Sequence, residues 1–247
     1  MTACEPKQPF VRGLDSRMTD SKIIPWKRIS IEAAAVVASI LLAFAIDAWW
    51  HESQKQEDIH LSLERLSDNL KTTLLDLQFD VGILEQSWVA AQILINSKQS
   101  ELVRGSAETA LAELFDTRIP IVESAEYKSL TSTGMLRDIS NANIVASVTS
   151  VYEQVPYLQS LSSSSGGAVR DLREMVATSL VYQELGGFES IQPVFTLSDE
   201  GRELLMRTDI RAKIVEAAWL MSLQASYYRH TISNIEDAIE LIEGELH

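Results

Sequence analysis

Side chains that commonly carry catalysis or bind metals are few and scattered in this chain of 247 residues. We expect none of the four histidines to have a carboxylate or a second histidine as a partner one helical turn away. They are His51, His60, His230 and His247. Helical zinc sites use that spacing, so the sequence predicts no metal site. It also lacks a Gly-x-Ser-x-Gly elbow, a Ser-x-x-Lys motif and a glycine-rich phosphate loop. We therefore expect a protein that is not an enzyme and uses no cofactor.

Hydroxyl side chains cluster ahead of a glycine in the middle of the chain. Tyr127, Thr131, Ser132 and Thr133 precede Gly134. Our first interpretation is a structural corner, in which Gly134 ends a helix in the left-handed conformation. The alternative is a ligand-contacting loop, because hydroxyls at a helix end suit the recognition of anions or amides.

Charge divides the chain into a basic start and an acidic remainder. Residues 1–28 carry six basic and three acidic side chains, a net charge of +3. Because the whole chain has a net charge of −14, residues 29–247 carry −17. Such an acidic surface repels phosphate backbones, so we expect no nucleic acid partner. A solvated acidic face is the simplest interpretation, and a basic protein or a cationic small molecule is the alternative.

An apolar stretch over residues 29–50 is long enough to cross a bilayer. Its 22 residues match the roughly 20 that a hydrocarbon core about 30 Å thick requires. The side chains that suit the two membrane interfaces are Trp26, Lys27, Arg28, Trp49 and Trp50. We therefore predict a transmembrane helix over residues 25–50. A cleaved signal peptide is the alternative, because residues 43–45 match the small-x-small pattern before a cleavage site.

Basic residues near the span predict its orientation, because they prefer the cytoplasmic side of a membrane. The five that precede it are Arg12, Arg17, Lys22, Lys27 and Arg28. The 20 residues after Trp50 hold only Lys55 and Arg65. We therefore expect a bacterial inner-membrane protein with a disordered cytoplasmic tail over residues 1–24 and a periplasmic domain over residues 51–247.

Small and acidic residues in the span favour contact with another membrane helix. Ala35, Ser39 and Ala43 recur every four residues, a spacing that lets two helices approach closely. An alanine-rich composition without pairing is the alternative. Glu32 and Asp47 either bind a partner helix or are tolerated near the headgroups by snorkelling and pairing.

Beyond the span, the apolar residues change from an all-round to a one-sided pattern, which is typical of helices in water. Two stripes with three- and four-residue spacing predict long bundle helices. The first is Leu63, Leu66, Leu70, Leu74, Leu77, Val81, Leu84, Trp88, Ala91 and Ile95; the second is Ile210, Ile214, Ala217, Met221, Gln224, Tyr228, Ile232, Ile235, Ile239 and Ile242. We predict an all-α fold in which the transmembrane helix continues into a long stalk helix and the C-terminal helix packs antiparallel against that stalk.

Shorter elements are predicted between the two stripes. Glycines and prolines divide this part into helices near residues 107–118, 123–134, 138–163 and 167–185. The polar patch at residues 162–167 is interpreted as a loop or a helix interruption. Residues 194–197 are expected to be extended or irregular, and Ser198 is expected to cap the next helix.

Two parts of the chain share a pattern with known sequences. The first is Glu32, then Asp47-Ala48-Trp49 and Glu52; the second is residues 127–136, then Ile139, Asn141, Ile144 and Tyr152. Over roughly residues 25–155, the chain resembles a group of uncharacterised bacterial single-pass membrane proteins, described as a domain of unknown function. The resemblance implies a membrane anchor and a helical extracytoplasmic domain, without an assigned activity. The chain departs from the group's pattern after the span, where the group often has a second Asn and more basic residues.

Two classes of function fit these predictions. The first is a scaffold or interaction subunit of the bacterial envelope, which contacts the lipid bilayer and either an envelope protein partner or further copies of itself. The alternative is a ligand-sensing periplasmic helical domain that acts through a partner. Sensors of that kind usually have a second span and a cytoplasmic output domain, so we favour the scaffold.

Replacing Ala35, Ser39 and Ala43 with Leu tests the predicted pairing face. The larger side chains should lower self-association in a membrane dimerisation assay, because they prevent close approach of two helices. Leu at Ala34 and Val37, on other faces of the same helix, is the control and should have little effect. Unchanged association in the first variant would remove the pairing hypothesis.

Overall fold

The elements of the fold follow from a computed structural model, which describes residues 26–97, 106–182 and 195–247. The helices are α1 (Trp26–Asn96), α2 (Ser106–Leu114), α3 (Ala125–Thr133), α4 (Ala142–Val176), α5 (Asp199–Leu204) and α6 (Thr208–Leu246). The strands are β1 (Leu180–Tyr182) and β2 (Phe195–Leu197), and short 3₁₀ turns span Met135–Asp138 and Ala177–Ser179. The predicted tail over residues 1–24 lies outside the described residues.

The chain divides into two units, Met1–Gln54 and Lys55–His247. In the described part of the first unit, one helix is long and apolar enough to cross a membrane, and none of its apolar window is buried. This helix is the start of α1, which continues unbroken to Asn96 and supplies the first long helix of the second unit. The predicted continuation into a stalk helix is thus confirmed.

Within the second unit, α6 packs antiparallel along α1. Lys71 Nζ lies 2.8 Å from Glu243 Oε1, and Arg229 pairs with Glu85 further along both helices. Arg211 Nη2 then donates to the Ser97 carbonyl at 3.0 Å. Because the contacts advance along α1 while they retreat along α6, the predicted antiparallel arrangement is confirmed.

The third long helix, α4, also lies antiparallel to α6. Asn141, just before α4, donates through Nδ2 to Glu245 Oε2 at 3.0 Å. Further along, Thr231 Oγ1 donates to Gln154 Oε1 at 2.9 Å. The helices α1, α4 and α6 therefore form a three-helix bundle. The two-stranded sheet of β1 and β2 is a small antiparallel addition to it.

Most residues of the two predicted stripes lie in the bundle core. In the C-terminal stripe, only Ile232 is half-buried, and the other residues are buried. In the first stripe, Leu74 and Ile95 are half-buried, while Trp88 is 40% exposed. Its neighbour Ser87 points inward instead, because its hydroxyl donates to the carbonyl of Glu113 at 2.9 Å. The prediction for Trp88 was therefore wrong.

The two helices predicted over residues 138–163 and 167–185 are one helix, α4, and it ends at Val176. The polar patch at residues 162–167 is helical because its inward hydroxyls have partners. Ser162 Oγ donates to the carbonyl of Arg118 at 2.6 Å, and Ser165 Oγ donates to Gln224 Oε1 at 2.5 Å. Residues 180–182 form β1 rather than a helix, since they pair with the strand at residues 195–197.

A buried ion pair fixes the small sheet and α5 to α2. Glu108 Oε1 accepts hydrogen bonds from the backbone N–H of Leu197 at 3.2 Å and from Arg202 Nη2 at 3.1 Å. The other terminal nitrogen of Arg202 pairs with Asp199, which is solvent-exposed. Ser198 caps α5 by accepting from the N–H of Gly201, as the sequence predicts.

Glu108→Ala should destabilise the fold on the order of 3 kcal/mol, because it removes the carboxylate that pairs with the mostly buried Arg202 and that accepts from the Leu197 N–H. Chemical denaturation of the full chain in detergent micelles, followed by circular dichroism, measures this loss. Asp199→Ala is the matched control: it removes the exposed partner of the same arginine, and surface ion pairs contribute little. Equal losses from the two variants would contradict the role given to Glu108.

Candidate functional site

The residues predicted to lie at the membrane interfaces all fall within α1. Trp49 and Trp50 are 68% and 55% exposed. Trp26, Lys27 and Arg28 form the first turn of α1, and their side chains lie outside the described part of the structure. The geometry thus leaves the aromatic rings at the end of the apolar segment available to lipid.

The predicted helix-pairing residues are also exposed. Glu32, Ala35, Ala43 and Asp47 lie on the uncovered surface of α1. Ser39 is exposed as well, and its hydroxyl donates to the carbonyl of Ala35 at 2.8 Å. That internal bond satisfies the polar group within its own helix, which lowers the cost of placing a serine in lipid. Pairing with a second helix stays a prediction.

The predicted corner at Gly134 is built from contacts within α3 and against α4. Gly134 has φ +81° and ends α3 in the left-handed conformation. The hydroxyls of Thr131, Ser132 and Thr133 donate back to carbonyls of α3 at 2.8–3.1 Å. Tyr127 stacks on Tyr152 with ring centroids 4.1 Å apart. These contacts favour the structural interpretation over the ligand-contacting loop.

The residues after the corner, which carry part of the family resemblance, join the bundle at one end. Ile139 and Ile144 are buried. Asn141 caps α4 by accepting from the N–H of Asn143, and it also reaches Glu245 at the end of α6. The Ile-x-Asn segment thus connects the start of one long helix to the end of another.

Two histidines have carboxylate neighbours that the sequence analysis did not expect. His51 Nε2 lies 3.6 Å from Asp47 Oδ1, and His60 Nε2 lies 3.6 Å from Glu64 Oε1. Each pair is four residues apart on α1, so that expectation was wrong. All four side chains are at least half exposed. Within the described residues, neither pair belongs to a group of three side chains that could hold a metal ion.

A connecting segment, residues 115–124, runs between the long helices and is neither helix nor strand. On α1, three polar residues at seven-residue spacing are buried: Thr73, Asp80 and Ser87. Thr73 Oγ1 accepts from the N–H of Glu123 at 3.1 Å. With the bond from Ser87 to Glu113 just before the segment, these contacts fix the segment antiparallel to α1.

The other two long helices complete a buried polar layer around the same segment. Gln224 of α6 donates through Nε2 to the Arg118 carbonyl at 3.1 Å and to the Tyr228 hydroxyl at 2.8 Å. Ser162 of α4 donates to the same carbonyl, and Ser165 donates to Gln224. Burial raises the pKa of Tyr228, so it stays neutral in this layer. The layer thus links α4, α6 and the connecting segment.

Asp80 is the most unusual ionisable group of the layer. It is only 8% exposed. Burial raises the pKa of its carboxyl to about 6; the Arg118 charge opposes that rise, whereas Asp76 and Asp116 add to it. Arg118 itself pairs with Asp116 at 2.9 Å and lies over the ring of Phe79. A carboxyl with this pKa changes charge near neutrality, which makes the layer sensitive to pH.

A surface cleft of about 400 Å³ lies beside the polar layer, between the connecting segment and α4. Phe115 and Ile119 line it from the segment, and Ser162 lines it from α4. Two arginines of α4, Arg170 and Arg173, supply its charged lining. The volume falls within the range of small-molecule sites in proteins.

The sequence analysis did not identify Asp80, Arg118 or the arginines of the cleft as a site. One signal for Asp80 was available in the sequence. The residue fits the three- and four-residue spacing of the first apolar stripe, which places its carboxylate on the buried side of α1. No comparable signal marked Arg118 or Arg173. The hydrogen bonds that join Arg118 to Gln224 and Arg173 to Phe115 connect residues 106 and 58 positions apart along the chain.

Stability of the full chain should fall as pH rises from about 4 to 7, because the raised pKa of Asp80 favours the folded state only while the carboxyl is protonated. The contribution is on the order of 2 kcal/mol. Asp80→Asn should remove this slope, measured by thermal unfolding in detergent micelles across that pH range. Asp58→Asn, at an exposed site on the same helix, should retain it; the full slope in Asp80→Asn would contradict the assignment.

Comparisons with protein-family models, with curated proteins and with solved structures give no match for this chain. The resemblance to uncharacterised single-pass membrane proteins therefore stays a prediction, based on the pattern at Glu32, Asp47 and Trp49 and on residues 127–136. What the chain's own geometry supplies is an apolar exposed helix, a three-helix bundle, a buried polar layer and an arginine-lined cleft.

Proposed function

We propose that this protein is a membrane-anchored scaffold or interaction subunit of the bacterial envelope. The apolar part of α1 is its anchor in the inner membrane, and the bundle is its periplasmic interaction domain. In this arrangement the basic residues 1–28 lie on the cytoplasmic side, as the distribution of Lys and Arg favours.

The observation that carries the proposal is the complete exposure of the apolar window in α1. Ile31, Leu41, Phe44 and Ile46 are each more than half exposed, and no other described element covers them. Water is a poor solvent for so much contiguous apolar surface, whereas lipid covers it without further protein contacts. A helix of this length satisfies its own backbone, as the hydrocarbon core requires.

The outer surface of the bundle supports an interaction role. The inner stripes of α1, α4 and α6 cover one another, so the fold needs no second copy to bury them. Large apolar side chains nevertheless remain outside: Trp219 is 59% exposed and Val215, one turn earlier, is 49% exposed. Exposed aromatic and apolar residues are enriched at protein interfaces.

Ligand sensing through a partner is a second candidate, and the cleft beside the polar layer is the observation that favours it. A sensor needs a site for a small molecule and an element whose stability the ligand changes. The cleft borders Ser162, which also hydrogen-bonds to the connecting segment. Binding there would thus affect contacts between α4 and that segment.

Cross-linking in intact cells tests the scaffold. Three chains, each in a Cys4→Ser background, carry Gln92→Cys, Ser160→Cys or Ser222→Cys, one exposed position on each long helix. A membrane-impermeant thiol cross-linker, applied after permeabilising the outer membrane, should couple at least one of them to a single envelope protein in a fixed ratio.

The chain with native Cys4 is the matched control for orientation. Its thiol lies on the cytoplasmic side in the proposed topology, so the reagent should leave it unmodified. Modification of Cys4 in intact cells would reverse the orientation. If all three variants react with the reagent but give no protein adduct, the interaction role fails.

A further inference from the structure

We propose that the cleft between the connecting segment and α4 binds a small organic carboxylate with an apolar body. The inference names the ligand class for the sensing alternative. It does not depend on the scaffold role, because it concerns a site within one bundle.

One face of α4 forms a wall of the cleft. Gln159, Ser162, Gly166, Val169 and Arg173 line it at three- and four-residue spacing, which places them on the same side of the helix. The opposite wall is the start of the connecting segment. A site formed by a helix and an ordered segment is largely preformed, which reduces the entropy lost on binding.

The charge of the cleft opposes that of the protein. Arg170 and Arg173 are the charged side chains among the described residues that line it, whereas residues 29–247 together carry −17. Arg170 makes no salt bridge with any described residue. Two guanidinium groups on adjacent turns, with no lining carboxylate to neutralise them, favour an anion.

Arg173 is held in place before any ligand arrives. Its guanidinium carbon lies 4.8 Å from the ring centroid of Phe115, and its Nη2 donates to the Phe115 carbonyl at 3.3 Å. The ring orients one face of the guanidinium and leaves its other N–H groups to bind. An arginine fixed in this way presents a planar fork that matches a carboxylate.

The apolar lining distinguishes an organic anion from an inorganic one. Phe115 and Val169 are buried at the cleft, and Ile119 is exposed at its edge. The exposed Ile119 offers most of the apolar surface to a ligand body, whereas a fully hydrated ion such as phosphate gains nothing from it. A volume of about 400 Å³ suits a small molecule rather than a folded partner.

Gly166 keeps the middle of the cleft open. A Cβ built there meets no atom within 4 Å, so this lining position has room for an added side chain. The adjacent Gly167 also has free space around a Cβ, and it is not a lining residue. Substitutions at Gly166 and Gly167 therefore change the same part of α4, but only the substitution at Gly166 changes the lining of the cleft.

Isothermal titration of the full chain in lipid nanodiscs tests the proposal, with empty nanodiscs as the blank. Phenylacetate should bind. Its neutral analogue phenylacetamide and inorganic phosphate should bind at least about tenfold more weakly, because phenylacetamide lacks the negative charge and phosphate lacks the apolar body. Arg170→Gln should lower phenylacetate affinity by a similar factor, since it removes one of the two positive charges from the wall.

Gly166→Leu should abolish phenylacetate binding by filling the cleft, and Gly167→Leu should retain it. The circular dichroism melting curves of both variants show whether the bundle remains folded. Absence of phenylacetate binding, equal binding of phenylacetamide, or retained binding in Gly166→Leu would overturn the proposal. None of these outcomes affects the cross-linking result, so failure of the cleft and failure of the scaffold are distinguishable.

Discussion

The bundle depends on how the backbone of residues 115–124 is satisfied. This segment is neither helix nor strand, yet it lies against three helices whose own backbone groups are already paired. Peptide groups buried without a partner cost free energy comparable to a lost hydrogen bond, so side chains must supply the partners. Thr73 of α1, Tyr152 and Ser162 of α4, and Gln224 of α6 do so. Each long helix therefore contributes polar residues to an otherwise apolar core.

This requirement explains the composition of the inner helix faces. The heptad positions Thr73, Asp80 and Ser87 would be apolar in a simple coiled coil. Here Thr73 hydrogen-bonds to the connecting segment, Asp80 lies near its charged residues, and Ser87 hydrogen-bonds to the end of α2 just before it. Gln224 lies in the stripe of α6 for the same reason. Burial of Asp80 raises the pKa of its carboxyl, so the charge inside the bundle changes with pH.

The cleft is a second consequence of the same segment. An extended chain fills the space between helices less completely than a helix would, and small residues on α4 leave room beside it. Arg173 contacts the segment through the ring and carbonyl of Phe115, so one arginine of the cleft is also a structural contact. A ligand bound in the cleft would contact residues that also pack α4 against the segment. Binding would therefore change the stability of that packing.

The sequence by itself determined the elements whose signals are local or periodic. The apolar run and the two stripes predict the long α1 and α6, because 3.6-residue periodicity needs no tertiary information, and Gly134 and Ser198 mark helix ends through their own backbone and side-chain preferences. Only the tertiary structure decided that Ser87 rather than Trp88 faces inward, and that α4 continues through residues 162–167. Those outcomes depend on hydrogen-bond partners far away in the chain, such as Glu113, Arg118 and Gln224. The arginine-lined cleft arises in the same way, from two segments that only folding brings together.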